Sequence, residues 1–240
     1  MNNRRSAYYP VLFYTGLLLL VWLVSLFAGI FGLFTDYTAG DNSLFTTPGV
    51  RWALRNAVPS IDNAPWGNIV MFVVIVGLLR GSGILRMLSH LLTPRKLTKN
   101  EKRSFIFALA ALSVYLLVVY IATLSSWEVF AGVTGEISSS PVVQGWVMLV
   151  FAGILFVSMI YGFIYGNYRS IIDVASSVGD TFVIAVPALI AVVPASGLIS
   201  CLQYTGLVGI HDGGFTYYAI YVIPFVYVAV LDVYVNRQQK

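Results

Sequence analysis

The chain has 240 residues, of which 58% are apolar and only 10% charged, whereas a soluble domain carries about a quarter charged residues. That scarcity of charge, with a mean hydropathy of +0.84, excludes an ordinary water-soluble domain and points to an integral membrane protein. The net charge of +4 would suggest a nucleic-acid partner in a soluble protein, but here the basic residues flank apolar runs, so topology explains them and no nucleic acid is expected.

At about 20 apolar residues per crossing plus a connection, the length accommodates roughly five to seven helical spans. The first apolar run is Val11 to Phe34, preceded by Arg4 and Arg5. It continues well past the roughly 7–15 residues of a signal-peptide core and reads as a retained helix. Residues 35–65 are turn-rich, with Pro48, Pro59 and Pro65. Within them Val50 to Val58 places Arg51, Trp52, Leu54 and Arg55 on a short helix suited to an interface. The next run, Trp66 to Leu88, contains Arg80-Gly81-Ser82-Gly83. It reads either as one crossing with Arg80 snorkelling or as an apolar run ending at a glycine break. The segment 94–103 holds Arg95, Lys96, Lys99, Lys102 and Arg103, the composition of a cytoplasmic loop.

Four further spans follow, at 104–125, 145–165, 181–207 and 215–235, giving six with 11–34 and 66–88. Placing both termini on the cytoplasmic side puts nearly all Lys and Arg inside and leaves only Arg51 and Arg55 outside. The loop with Glu128 and Glu136 carries no Lys or Arg and falls outside. The expected fold is therefore an all-α polytopic helix bundle, a single integral membrane domain over 1–240.

An ionisable residue within a span is a functional candidate by default. Asp180 and Asp232 qualify only at span ends, where they remain hydrated, and no carboxylate or histidine sits at mid-depth. A proton relay is not expected; a sodium site built from backbone carbonyls and Ser or Asn oxygens stays open. The fifth span holds Pro187, Pro194 and Gly197. Each proline removes a donor and frees a carbonyl one turn back, which predicts a kinked or broken helix. Freed carbonyls beside Ser196, Ser200, Gln203 and Tyr204 are candidates to line a polar path. After the fourth span, Asn167 and Ser170 are placed to cap the next helix. Cys201 is the only cysteine, so there is no disulfide and no thiolate metal set. His90 and His211 fall in opposite loops, and no Ser/His/Asp or HExxH arrangement exists. No enzyme, cofactor or metal site is expected.

Several passages resemble the AbgT family of bacterial p-aminobenzoyl-glutamate and drug transporters. Ala57 to Leu85, AVPSIDNAPWGNIVMFVVIVGLLRGSGIL, is similar to the family's early segment. Glu101-Lys102-Arg103 and Trp146 to Gly162 continue the likeness. Tyr168-Arg169-Ser170-x-x-Asp173 is its best single marker, and Leu202 to Leu207 resembles a family helix end. The resemblance implies transport of amphipathic anions or drugs across a bacterial inner membrane. It also implies a shortened relative, because Gly83 reaches Glu101 in fewer than twenty residues with no counterpart of the family's first re-entrant hairpin, and the second is likewise without counterpart. A non-transporting scaffold or accessory subunit of a membrane complex is the competing expectation. The bilayer is the expected environment, with a homodimer or a membrane protein as partner.

Overall fold

The computed structural model describes residues 6–30, 43–92, 98–124 and 145–238. Among them are eight helices and no strand: α1 Tyr9–Ile30, α2 Thr47–Asp62, α3 Trp66–Ser82, α4 Ile84–Leu92, α5 Lys99–Leu124, α6 Trp146–Tyr165, α7 Ile171–Thr205 and α8 Phe215–Gln238. Six stretches are long and apolar enough to cross a membrane: Tyr9–Phe27, Thr47–Ser82, Lys99–Thr123, Trp146–Tyr165, Ile171–Thr205 and Phe215–Val235. The chain is an all-α, multi-pass membrane protein. Residues 31–34 of the first expected span, the loop with Glu128 and Glu136, and Arg95 and Lys96 lie outside the described residues.

The expected boundaries change at two places. The 66–88 segment is not one helix: α3 ends at Ser82, Gly83 takes φ +86°, and α4 starts at Ile84. A Cβ on Gly83 would be strained by its backbone and would sit 2.6 Å from the Asn167 amide nitrogen. The helix that carries the fifth span begins at Ile171, ten residues ahead of the expected span start at Thr181. Ser170 starts it as an N-cap, its Oγ accepting from the Asp173 N–H at 3.3 Å while the Ser170 N–H donates to Asp173 Oδ2 at 3.0 Å. This reciprocal pair is a capping box. Asn167 instead donates to the Ser82 carbonyl at 2.8 Å. At 1.5 Å per residue, α7 is about 50 Å long, well beyond the ~30 Å hydrocarbon core. Its exposed first turns, with Ser176 and Asp180, are therefore the part that extends into water. Ser170→Ala is expected to cost about 1 kcal/mol, read as a lowered midpoint of thermal unfolding in detergent.

A second capping box starts α5: the Thr98 N–H donates to Glu101 Oε2 at 2.8 Å, and the Glu101 N–H donates to Thr98 Oγ1 at 3.3 Å. The lysines and arginines of this segment thus include the first turn of a helix as well as a loop.

The chain divides into two compact units, Met1–Ile69 with Val183–Lys240, and Val70–Phe182. In the first unit, Leu18 of α1 lies against Gly197 of α7 and Trp22 against Cys201, so the two helices run in the same direction. Tyr14 donates to the Ile220 carbonyl at 2.8 Å and Tyr227 to the Ser6 carbonyl at 3.2 Å, so α8 runs opposite to α1. The buried side of α7 consists largely of small residues, with Ala188, Ala191 and Ala195 fully buried. Such residues let helix backbones approach closely where no hydrophobic force drives association.

In the second unit, Gly77 of α3 faces Val178 and Thr181, and Gly81 faces Ser177, so α3 and this part of α7 are antiparallel. Tyr115 of α5 donates to the Leu149 carbonyl at 2.6 Å, while Ala108 packs with Tyr161; α5 and α6 are antiparallel too. The first and fifth crossings run together, and the first–sixth, second–fifth and third–fourth pairs are opposed. This is what consecutive crossings of one membrane require.

Candidate functional site

α2 starts behind Thr46, whose Oγ1 accepts from the Gly49 N–H at 3.2 Å, and has Pro48 in its first turn. Gly49 must be glycine, because a Cβ there would overlap the backbone of Ser43 and Leu44. Ser25 near the end of α1 anchors this entry: its Oγ accepts from the Leu44 N–H at 2.7 Å, and its carbonyl accepts from Ser43 Oγ at 3.1 Å. At the other end of α2, the Asn63 carbonyl accepts from the Tyr217 hydroxyl at 2.8 Å, at the start of α8. Midway, Trp52 stacks on Tyr204 near the end of α7, with centroids 4.1 Å apart and planes at 19°. The end of α1, the end of α7 and the start of α8 share one level, so α2 lies across that end of its unit.

The two faces of α2 differ. Val50, Leu54 and Val58 are exposed beside Arg51 and Arg55, the composition of a helix at a lipid–water boundary. Trp52, Asn56 and Ser60, four residues apart, face inward and with Ser200, Gln203 and Tyr204 of α7 line a polar cavity of about 300 Å³. Continuing from it is a larger, mainly apolar cavity of about 520 Å³, lined by Val11, Leu18 and Trp22 of α1 and by Ile190, Val193 and Gly197 of α7. Trp52, Asn56, Ser60 and Ser200 belong to both linings. Among the described residues, neither lining contains Asp, Glu, Lys, Arg or His.

Much of the polar lining is already engaged. The Asn56 amide donates to the Trp52 carbonyl at 2.9 Å, and Ser60 donates to the Ala57 carbonyl at 3.0 Å. Both N–H groups of Gln203 have acceptors, the Ile210 carbonyl at 3.2 Å and Asp212 Oδ1 at 2.8 Å. The cavity offers the amide oxygens of Asn56 and Gln203 as acceptors, and the Asn63 amide and the Ser200 and Tyr204 hydroxyls add donors to the same lining.

The structure brings Pro194, Gly197, Ser200, Gln203 and Tyr204 of the expected path to these cavities. It does not bring the other three. Pro187 and Ser196 are buried on α7 away from the lining, with Ser196 donating to the Val193 carbonyl at 2.8 Å. Asp180 is exposed and belongs to the second unit. Of the two expected forms of α7, kinked or broken, the broken one is set aside, because the helix is continuous through both prolines. In an apolar environment neighbouring groups, not an unwound segment, take up the freed carbonyls. The contribution of α2 was missed. Its signal was the Trp52-x₃-Asn56-x₃-Ser60 spacing, one polar stripe on an otherwise apolar and basic helix.

The Tyr168, Arg169, Ser170 and Asp173 passage has a local structural role. Tyr168 is 3% exposed; its hydroxyl donates to the Leu78 carbonyl at 3.0 Å and lies 3.2 Å from Ser177 Oγ. Burial pushes the Tyr168 phenol above its ordinary 10.0, partly offset by the Ser177 hydrogen bond, so it stays a neutral donor. The Arg169 N–H donates to Asp173 Oδ2 at 2.7 Å. Gly162 and Gly81 leave room for the Tyr168 ring and hydroxyl. Among the described residues no group of three or more His, Cys, Asp or Glu side chains is placed to hold a metal ion. No family model, curated protein or solved structure matches the chain.

Proposed function

We propose that this protein is a transporter-like membrane protein that takes an amphipathic solute into the cavities beneath α2, in the manner of the AbgT family it resembles. That family's p-aminobenzoyl-glutamate-like anions and drugs define the solute class in outline. The observation that carries the reading is the inverted face of α2. Trp52, Asn56 and Ser60 turn inward onto Ser200, Gln203 and Tyr204, and an apolar cavity continues from them along α1 and α7. A helix that only sealed the bundle would place apolar residues inward. A pocket with a few polar groups at one end of an apolar volume is the usual form of a site for a small amphiphile.

The reading places the protein in a bacterial inner membrane with Lys99, Lys102 and Arg103 on the cytoplasmic side and Arg51 and Arg55 opposite. Single cysteines introduced at Lys102 and at Arg51 in a Cys201→Ser background should then react with an impermeant maleimide from opposite faces of sealed vesicles. Labelling of both from one face would refute that topology.

The function itself is tested in proteoliposomes with radiolabelled p-aminobenzoyl-glutamate and a panel of amphipathic drugs. At least one compound should cross faster than in protein-free vesicles. No flux for any of them, with or without a sodium gradient, would favour the scaffold reading.

A further inference from the structure

The composition and dimensions of the joined cavities specify more than amphipathicity. We propose that their occupant is an uncharged, single-chain amphiphile with a hydroxyl-bearing head, drawn from one leaflet of the bilayer. This rests on the proposed function's reading that the cavities take an amphiphile, and it keeps the uncharged members of that solute class while setting aside its anions.

Three observations carry it. The first is charge. Among the described residues neither lining holds a side chain that is charged at neutral pH, so a carboxylate head would be desolvated without a cation to pair it. Gln203 of the polar lining is bonded to the Asp212 carboxylate at 2.8 Å. The arginines of α2 are on its exposed face.

The second is hydrogen-bond polarity. Both Gln203 N–H groups and one from Asn56 are committed to protein acceptors, while Asn63, Ser200 and Tyr204 add an amide and two hydroxyls to the lining, so it presents acceptors and donors together. A head that both donates and accepts, as hydroxyls do, satisfies both sets; a carboxylate or an ester only accepts and leaves the amide oxygens of Asn56 and Gln203 without a donor.

The third is length. The apolar cavity runs from the level of Trp22 and Cys201 to that of Val11 and Ile190 on two helices of the same direction. Eleven residues at 1.5 Å per residue is about 16 Å, half of a ~30 Å hydrocarbon core. A head under α2, at the end of the unit, with a chain extending one leaflet deep between α1 and α7, fits that geometry.

The test uses the full-length protein in nanodiscs of neutral lipid, with Trp22 and Trp52 as reporters inside the lining. Three dibrominated C18 probes sharing one chain are titrated at pH 9: a glyceryl ester, its free carboxylate and its methyl ester. The glyceryl ester should quench tryptophan fluorescence saturably. Trp22→Phe with Trp52→Phe should remove that quenching, and the carboxylate and methyl ester should each require at least tenfold higher concentration. A carboxylate that binds as tightly as the glyceryl ester overturns this inference and leaves the amphiphile reading standing. A methyl ester that matches the glyceryl ester overturns the donor requirement. If no probe quenches saturably, or quenching is indifferent to Gly197→Phe, the cavity is filled by bulk lipid and both readings fall.

Discussion

Gly197→Phe should abolish solute flux and raise the concentration of amphiphile needed for half-saturation more than tenfold, while leaving the unfolding midpoint within a few degrees of that of the unsubstituted protein. Gly197 is intermediate in exposure and lines the apolar cavity. A Cβ at this position would meet only Leu18, at 3.8 Å and 4.0 Å, which is ordinary van der Waals contact. The first carbon of a larger side chain is therefore tolerated, and the ring beyond it has only the cavity to occupy. A benzyl group takes up a substantial part of a volume of about 520 Å³, and it does so where α1 and α7 lie closest. Gly197→Ala, which adds the Cβ alone, should retain both activities. Equal loss in the two variants would mean that glycine is needed for helix packing and that the cavity is incidental.

Gly162→Val should destabilise the protein by about 4 kcal/mol, measured as the free energy of unfolding in mixed micelles. Gly162 is buried on α6, and a Cβ there would overlap the ring of Tyr168. The ring cannot swing away cheaply, because its hydroxyl donates to the Leu78 carbonyl at 3.0 Å and the residue is 3% exposed. Overpacking of this kind costs about 1–3 kcal/mol, and a buried acceptor left without its donor costs about 1–3 kcal/mol more. The interaction is checked by a double-mutant cycle with Gly162→Ala and Tyr168→Ala. Removing the ring removes the clash, so the double variant should be more stable than the sum of the singles by at least about 1 kcal/mol. Additive effects would show that the two residues act separately.

Both predictions concern glycines, and the two were not equally legible in the sequence. The number of crossings followed from apolar run length, since this reports directly on lipid. Ser170 as a helix cap was also legible, because capping depends on local spacing alone. The start of α7 at Ile171 was hidden because Ile171 to Asp180 mixes apolar and polar residues, and a hydropathy window registers only the part inside the bilayer. The break after Ser82 was one of two open readings. What decides it is the Asn167 side chain against Gly83, a contact between residues far apart in the chain. The inward turn of Trp52, Asn56 and Ser60 was unreadable for a similar reason. A polar stripe in the sequence looks like a hydrated face until the helix across from it is known. Tyr168 and Asp173 drew attention as family markers, whereas in the structure they dock and cap the segment between α6 and α7.

The central claim is that α2 and α7 enclose a cavity that solutes reach, and cysteine accessibility tests it most directly. In a Cys201→Ser background, Ser200→Cys lies in both cavity linings, whereas Ser196→Cys, one turn earlier on the same helix and 1% exposed, lies in neither. Proteoliposomes treated with a small uncharged maleimide should label Ser200→Cys and leave Ser196→Cys unmodified, and the glyceryl amphiphile should slow the labelling at position 200. Equal labelling at both positions, or none at either, would contradict the account.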